Sequence, residues 1–234
     1  MHPRITATVI RRFVATTDVI ILDFRVDDES YTYSAGQYIT VFFDDTNVVQ
    51  GKAYSLSSSP HDTHLSITVK KIGLFSGKLH ELRVGDQFDI SSAYGFFNAK
   101  NNKPVIAIAA GVGIAPIWSI IRHAYAQAGD HQVTRLLYSN ASYGDIVFRS
   151  QIDELAAHNA SFDREFFVTR QPHQGHTSRR IDIVRDVSPE VIASDEYCFY
   201  ICGSADFVRS MWRQLTQLGV GERSISTETF FEAM

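Results

Sequence analysis

The sequence predicts two domains: an N-terminal antiparallel β-barrel over residues 1–99, followed by a doubly wound α/β domain with a parallel sheet over residues 100–234. Two observations predict this arrangement. The first part contains short β-branched and aromatic segments between turn residues, whereas the second alternates such segments with amphipathic helical ones. The chain length suits two small domains, and an apolar content of 44% suffices for packed cores.

Four segments of the first part are predicted to be strands, namely ITATVIRRFVAT, VIILDFRVD, QYITVFFD and HLSITVKKI. Turn-type residues such as Gly36 and Gly51 separate them. Several short antiparallel strands favour a barrel, because closure removes the exposed sheet edges. One short helix is expected over residues 76–82 with Ser76 as its N-cap, and the polar residues 98–103 are expected to link the domains.

Strands and helices alternate after this link. The predicted strands are PVIAIAA, VTRLLYSN, FDREFFVTR, EYCFYICG and SISTET, and the predicted helices are APIWSIIRHAYAQAG, DIVFRSQIDELAAHN and ADFVRSMWRQLTQLG. The helical segments have apolar residues at helical spacing. Strands separated by helices predict a parallel sheet with helices on both faces.

Composition and charge exclude several classes of function. The 22 Lys and Arg residues against 26 Asp and Glu give a net charge of −4, which argues against a nucleic-acid binder. No apolar run reaches the roughly 18 residues of a membrane span, and the N-terminus lacks the apolar stretch of a secretory signal. A cytoplasmic protein is therefore expected. The two cysteines, Cys198 and Cys202, would lie about 13 Å apart along a strand, too far for a disulfide.

No metal site is predicted. His173 and His176 in QPHQGHTSRR have no cysteine or acidic partner at ligand spacing, so a solvent-exposed loop is expected there. Arg179 and Arg180 of the same loop could contact a nucleotide phosphate, but surface charge is the expected role.

Three segments carry residue types suited to nucleotide and ring binding. IAIAAGVGIAP places glycines between a strand and a helix, where the backbone can approach a pyrophosphate, although a tight turn that binds nothing fits as well. KAYSLSSSP offers a lysine, an aromatic ring and hydroxyls, or simply a strand that enters a Ser/Pro turn. KKIGLFS is either an anion site before a helix start or a solvated turn.

Taken in order, KAYSLSS, KKIGLFS, GDQFDISSAYGFF, AIAAGVGIAP, YICGSADFV and TETFFEAM resemble the ferredoxin–NADP⁺ reductase family of flavoenzymes. The resemblance covers about residues 36–231, and a stand-alone reductase without an iron–sulfur or globin domain is expected. It implies FAD bound by the barrel, with FMN as the less common alternative. It also implies NADH or NADPH as substrate on the α/β domain, meeting the flavin in the cleft between the domains.

On the barrel side, the family's arginine-x-tyrosine-serine motif falls on Lys52, Tyr54 and Ser55. The resemblance implies that Tyr54 packs on the flavin ring and that Ser55 hydrogen-bonds near its hydride-accepting nitrogen. Lys52 replaces the arginine that pairs with the flavin phosphates; lysine keeps the charge but loses the bidentate fork. Gly73 and Ser76 match the turn that cups the pyrophosphate. The remaining cofactor-binding residues predicted on this side are Leu56, Ser57 and Lys70.

On the nucleotide side, Gly111, Gly113 and Pro116 match the turn at the nicotinamide-side pyrophosphate. Ala110 and Val112 replace two residues of that turn in many members, so a threonine contact is lost. The further cofactor-binding residues predicted on this side are Ser139, Asn140, Cys202, Gly203, Phe230 and Phe231.

The predicted catalytic residues are Ser55, Cys202 and Glu228. In the family a cysteine-glycine pair lies beside the nicotinamide, a carboxylate lies near the reacting rings, and a C-terminal aromatic shields the flavin. Phe230 or Phe231 is therefore expected to move aside for the nicotinamide. Simple burial of Cys202 and coverage of the sheet edge by the phenylalanines are the structural alternatives.

The expected activity is transfer of electrons from NAD(P)H to a separate acceptor, such as a ferredoxin, a flavodoxin or an oxygenase component. NADH is favoured, because relatives often carry arginine where Ala141 stands and the 2′-phosphate of NADPH normally requires a basic residue. Two alternatives stay open: a flavin reductase that releases free reduced flavin, and a non-catalytic flavin-binding subunit. The sequence does not identify the acceptor, the pathway or the oligomeric state.

Overall fold

A computed structural model of the chain describes residues 4–28, 30–46, 48–98, 103–126, 133–170 and 175–230. Phe231, His173 and most of the predicted link lie outside these residues. The described residues form a six-stranded antiparallel sheet followed by a five-stranded parallel sheet, which confirms the predicted fold class.

The antiparallel sheet belongs to the first part of the chain. Its elements are β1 (Ile5–Val14), β2 (Val19–Val26), β3 (Tyr38–Phe42), β4 (Lys52–Ser55), β5 (Leu65–Lys70), α1 (Leu74–Glu81) and β6 (Gln87–Ile90). The strand order is β4-β3-β6-β1-β2-β5. The two end strands meet just beyond β4, where Leu56 bridges Ile67 and the Ser57 N–H donates to the Ser66 carbonyl at 2.8 Å. This seam closes the sheet into a barrel around a buried apolar core.

The predicted start of α1 is wrong by two residues. The helix begins at Leu74 with Gly73 at the N-cap, and Ser76 lies inside the first turn. The Ser76 Oγ accepts hydrogen bonds from the N–H groups of Ile72 at 2.9 Å and Gly73 at 3.1 Å. A side chain at this third helical position can satisfy the free N–H groups before the helix as well as an N-cap side chain can.

The parallel sheet and its helices make up the second part. Their elements are β7 (Val105–Ala110), α2 (Ile114–Ala126), β8 (Val133–Asn140), α3 (Arg149–His158), β9 (Asp163–Val168), α4 (Ile183–Asp186), α5 (Pro189–Ala193), β10 (Cys198–Ser204), α6 (Ala205–Gln217) and β11 (Ile225–Phe230). The strand order is β11-β10-β7-β8-β9. Apolar residues of α2 and α3 fill the core on one face of the sheet, and those of α4 and α6 fill the core on the other.

The barrel packs directly on the α2 side of the parallel sheet. Val19, Ala35 and Phe97 of the barrel belong to the same buried cluster as Trp118 of α2. The orientation of α2 is therefore tied to the barrel surface as well as to its own sheet. Among the described residues, no helix has both the length and the apolar content that a membrane crossing requires.

Candidate active site

The order of the parallel strands places a binding crevice beside β7. From β7 the chain continues to β8 on one side, whereas β10 joins β7 on the other side. Ligands of open α/β sheets bind at such a switch point, outside the carboxyl ends of the strands. The crevice therefore lies between the ends of β7 and β10, at the turn Gly111–Gly113.

This turn approaches β10 so closely that it excludes a side chain. A Cβ on Gly113 would lie 2.4 Å from the carbonyl oxygen of Cys202. Gly111 has a φ of 53° and open space where a side chain would point. Pro116 is buried in the first turn of α2, where its missing N–H breaks no helical hydrogen bond. The turn thus leaves room for a ligand beside the N-terminal N–H groups of α2.

A cleft of about 810 Å³ opens at this crevice, and both parts of the molecule line it. Its volume lies within the ordinary range for small-molecule and cofactor sites. Among the predicted site residues, those lining the cleft are Lys70, Gly111, Ser139, Asn140, Gly203 and Phe230. The structure therefore brings these six residues together. Lys70 also forms an ion pair with Asp18 at 3.4 Å.

The three predicted catalytic residues meet where the barrel touches the end of the parallel sheet. The Ser55 Oγ donates to Glu228 Oε1 at 2.6 Å, and Glu228 is the register partner of Cys202 in the neighbouring strand. Burial raises the pKa of Glu228, and the hydrogen bond from Ser55 opposes this shift only in part. The carboxyl can therefore hold a proton at a higher pH than a solvated glutamic acid can.

The environment of Cys202 disfavours the thiolate form of its side chain. Its side chain is fully buried, and burial together with the nearby Glu228 raises its pKa well above the ordinary value. A protonated thiol is a weak nucleophile. Cys202 therefore shapes the site through its packing and through its backbone contact with Gly113.

The barrel side offers a separate cradle at the start of α1. The Lys52 Nζ lies 5.9 Å from the centroid of the Phe75 ring, and the Tyr54 ring stacks on that ring at 6.4 Å with planes 19° apart. Burial raises the pKa of Tyr54, so its hydroxyl stays neutral. A Cβ on Gly73 would meet no atom within 4 Å. An ammonium group, an aromatic side chain and an open turn at a helix N-terminus fit a flat ring that carries phosphates.

Two residues predicted to bind the cofactor, Leu56 and Ser57, do not line the cleft. Leu56 is fully buried in the barrel core, and its N–H donates to the Gln37 carbonyl at 2.9 Å. The buried Ser57 side chain lines a second groove of about 860 Å³ beside Trp118, away from the cleft. The Ser57 hydroxyl has no hydrogen-bond partner within the described part of the chain.

Sequence reasoning missed one arginine of the cleft, Arg170, and gave a nucleotide phosphate only as the less expected contact of a second one, Arg180. The Arg170 N–H donates to the Ala141 carbonyl at 2.9 Å, which fixes this residue beside the end of β8. Arg180 was expected to be surface charge, but it lines the cleft. Its neighbour Arg179 forms an ion pair with Asp186 instead. The available signal was the position of Arg170 at the carboxyl end of the predicted strand FDREFFVTR, two residues beyond the end of β9, because the carboxyl ends of parallel strands share one edge of the sheet.

The histidines do not gather into a metal site. No group of three or more His, Cys, Asp or Glu residues is arranged to hold a metal ion in the ranges that the structure describes. The ring of His176 packs against those of Tyr143 at 4.7 Å and Phe166 at 5.8 Å.

Comparison with known protein families gives one match for each part of the chain. Residues 6–98 match the oxidoreductase FAD-binding domain, and residues 107–213 match the oxidoreductase NAD-binding domain. The first match covers the part of the chain that forms the barrel, and the second covers most of the α/β part.

Individual relatives cover most of this chain. The flavohemoprotein of Bacillus subtilis (strain 168) is 31% identical over 209 residues, which are 85% of this chain and 51% of the relative. Reductase component 1 of a terephthalate 1,2-dioxygenase from Comamonas sp is 24% identical over 236 residues, covering 97% of this chain and 68% of the relative. The chain thus spans about half the length of the flavohemoproteins that it matches.

A solved structure has the same arrangement of domains. The flavohem-like FAD/NAD-binding domain of nitric oxide dioxygenase from Vibrio cholerae O1 biovar El Tor superposes with a TM-score of 0.86 at 25% identity, covering 97% of this chain and 98% of that one. The matches to the FAD-binding and the NAD-binding family together cover both parts of the chain. The chain therefore belongs to the ferredoxin–NADP⁺ reductase type of NAD(P)H flavoprotein oxidoreductases, with one domain for FAD and one for the nicotinamide nucleotide.

Proposed function

We propose that this chain takes a hydride from NADH and delivers the electrons to a separate protein, either an oxygenase component or an iron–sulfur ferredoxin. The observation that carries the proposal is the 2.6 Å hydrogen bond between Ser55 and Glu228. It joins the barrel strand that bears Tyr54 to the sheet end that bears the nucleotide cleft. The Comamonas relative, named as the reductase component of a dioxygenase, supports an acceptor on another chain.

When bound, FAD accepts two electrons from a nicotinamide and releases them singly or as a pair. The chain's own residues provide position and electrostatics. Lys52 and the open turn at Gly73 would hold the phosphates, and Tyr54 would cover one face of the ring. Ser55 and Glu228 form a hydrogen-bonded pair that can hold a proton beside the reacting rings. Phe230, half-buried at the end of β11, would shield the ring and move when the nicotinamide enters.

The nucleotide would enter through the cleft on the α/β side. Gly111 and Gly113 would bring the backbone close to its pyrophosphate, while Ser139 and Asn140 lie at the end of β8. NADH is the proposed substrate, because Ala141 brings no charge to this position. Arg170 and Arg180 line the same cleft and can pair with a 2′-phosphate, so we expect NADPH to be accepted less efficiently rather than rejected.

The domain boundaries belong to the same proposal. We assign residues 1–99 to the flavin domain and residues 100–234 to the nucleotide domain. The FAD-binding match ends at residue 98 and the NAD-binding match begins at residue 107, which supports a boundary in this interval.

The test is to purify the protein, identify any extracted flavin, and titrate it without oxygen against NADH and NADPH. We expect a bound FAD whose visible absorbance NADH bleaches. A colourless protein that oxidises NADH only with added flavin would favour the flavin reductase. A bound flavin that neither nucleotide bleaches would favour the non-catalytic subunit.

The substitution Tyr54→Ala tests the proposed ring contact. We expect the dissociation constant for FAD to rise about fivefold, because an aromatic stacking partner contributes on the order of 1 kcal/mol. Tyr54→Phe keeps the ring and is the matched control, with flavin content close to wild type. Full flavin occupancy and an unchanged visible spectrum in Tyr54→Ala would contradict the stacking role.

A further inference from the structure

We call β4, which carries Tyr54 and Ser55, the flavin strand; the barrel segment that follows it forms a hydrogen-bonded turn. Ser58 and Ser59 are buried, and the Asp62 N–H donates to the Ser59 carbonyl at 2.9 Å. The Asp62 carboxylate accepts in return from the Ser59 N–H at 2.9 Å. Because Ser58 lies three residues after Ser55, this turn is directly continuous with the strand that carries the proposed flavin contacts.

Helix α2 is fastened to this turn by two side chains on one of its faces. The Ser119 Oγ donates to the Ser58 carbonyl at 2.5 Å, and both residues are fully buried. One turn later, the Arg122 guanidinium forms two hydrogen bonds to the Asp62 carboxylate, at 2.5 and 2.7 Å. We call these four residues the interdomain clamp. A stacked pair of histidine rings lies beside it, with His61 and His123 at 4.8 Å and planes 10° apart.

The other end of the same helix is the nucleotide end. Between Ile114 and Arg122 the helix rises about 12 Å, at ~1.5 Å per residue, without a break. A short straight helix behaves as a rigid rod, so a tilt at the clamp displaces the Gly111–Gly113 turn. The clamp therefore links the position of the nucleotide turn to the position of the flavin strand.

The chemistry of the clamp suits a role in positioning. A bidentate arginine–carboxylate pair fixes angle as well as distance, which a lysine cannot reproduce. The Asp62 side chain is only 14% exposed and also accepts a hydrogen bond from the Ser59 N–H. This second contact orients the carboxylate independently of Arg122. The buried Ser119 bond adds a second fixed point, and two points define the direction of the helix.

We infer that the interdomain clamp consists of positioning residues for electron transfer between nicotinamide and flavin, with the Arg122–Asp62 pair as the part that fixes the angle of the helix. The inference rests on the proposed function, because it assumes that both rings bind at the sites described above. A reacting pair misplaced by about 1 Å loses on the order of a hundredfold in rate. Loss of the bidentate pair should therefore slow transfer without preventing either ring from binding.

The experiment compares wild type with Arg122→Ala and Arg122→Lys, all with flavin bound. The rate of flavin bleaching at saturating NADH is measured without oxygen by rapid mixing. We expect at least a tenfold lower rate in Arg122→Ala, with flavin content and the dissociation constant for NADH within about twofold of wild type. Arg122→Lys should recover part of the rate, since it restores the charge but not the second hydrogen bond.

Arg164→Ala is the matched control. Arg164 pairs with Asp153 at 2.9 Å within the α/β part, and its side chain is 38% exposed, as is that of Arg122. This variant should bleach at the wild-type rate. A second readout needs no cofactor: hydrogen exchange of peptides covering residues 57–66 in the flavin-free protein should be faster in Arg122→Ala than in Arg164→Ala.

The possible results are separable. Equal bleaching rates in wild type and Arg122→Ala would overturn the clamp and leave the proposed function intact. A wild-type flavin that neither NADH nor NADPH bleaches would overturn the proposed function and the positioning role with it. Equal exchange of residues 57–66 in the two variants would show that Arg122 does not hold the turn, and would also overturn the clamp.

Discussion

The two ends of helix α2 are built in opposite ways. At its start, the Gly111–Gly113 turn carries little side-chain volume and leaves open space beside Gly111. Toward its end, Ser119 and Arg122 hold the barrel through short side-chain hydrogen bonds. One helix thus combines a start that leaves space for a ligand with a later part that side-chain hydrogen bonds hold against the barrel. The residues that fix the helix against the barrel are therefore not the residues that line the cleft.

The largest expected effect comes from crowding the close contact between Gly113 and Cys202 at the start of α2. In Gly113→Val the new Cβ would meet the Cys202 carbonyl 2.4 Å away, and backbone cannot yield as a flexible side chain can. We expect the free energy of unfolding to fall by about 3 kcal/mol, measured by urea denaturation. NADH binding should weaken as α2 is pushed from β10.

Gly144→Ala is the control for Gly113→Val. The nearest atom to a Cβ on Gly144 is 3.9 Å away, so its free energy of unfolding should stay within about 0.5 kcal/mol of wild type. If both variants unfold at the same urea concentration, the close approach of Gly113 to Cys202 does not stabilise the packing of α2 on β10.

A smaller effect is expected from adding charge beside the same end. Ala141→Arg should raise the ratio of kcat/KM for NADPH to that for NADH about tenfold, because a guanidinium forms charge-assisted hydrogen bonds with a 2′-phosphate. Steady-state kinetics with both nucleotides measures this ratio, and Ala141→Met controls for side-chain size. A wild-type enzyme that already strongly prefers NADPH would reject the proposed preference and assign the discrimination to Arg170 and Arg180.

The smallest effect concerns the carboxyl that faces the barrel. Because burial raises the pKa of Glu228 in the folded chain, the neutral acid stabilises the fold below the unfolded pKa, and this contribution is lost as pH rises through the folded value. Glu228→Gln keeps a neutral group at every pH. Its free energy of unfolding relative to wild type should therefore increase from pH 4 to pH 8, by less than about 1 kcal/mol.

Urea denaturation of the flavin-free protein across this pH range measures the effect. Glu222→Gln, at an exposed carboxylate, is the matched control. A difference between Glu228→Gln and wild type that falls with pH would contradict the buried environment assigned to Glu228.

The sequence predicted the architecture because its signals are local. The apolar strand β7, the glycine turn and the amphipathic helix α2 are consecutive, so their pattern alone places a binding turn at the sheet edge. The short helices α4 and α5 were missed, since four and five residues are too few for a helical period to show. The start of α1 was misplaced because a serine at the third helical position has the same composition signal as an N-cap.

The contacts between the two parts could not be predicted in this way. Ser58 and Ser119 are 61 positions apart, and Asp62 and Arg122 are 60 apart. Polar residues occur on most helix surfaces, and nothing in the local pattern distinguishes one that meets another domain from one that meets water. Arg170 was missed for a related reason, because its role depends on which strands are neighbours rather than on its own surroundings.

The barrel seam has a consequence for biosynthesis. Ser57 closes the seam onto Ser66, and the next residue, Ser58, accepts the bond from α2. The last strand of the barrel ends at Ile90, well before Ser119 in the chain. A ribosome that releases the chain from its N-terminus therefore exposes a completed barrel first, and domains generally fold as they emerge. The α/β part then folds next to a barrel that already presents Ser58 and Asp62, the residues to which α2 binds.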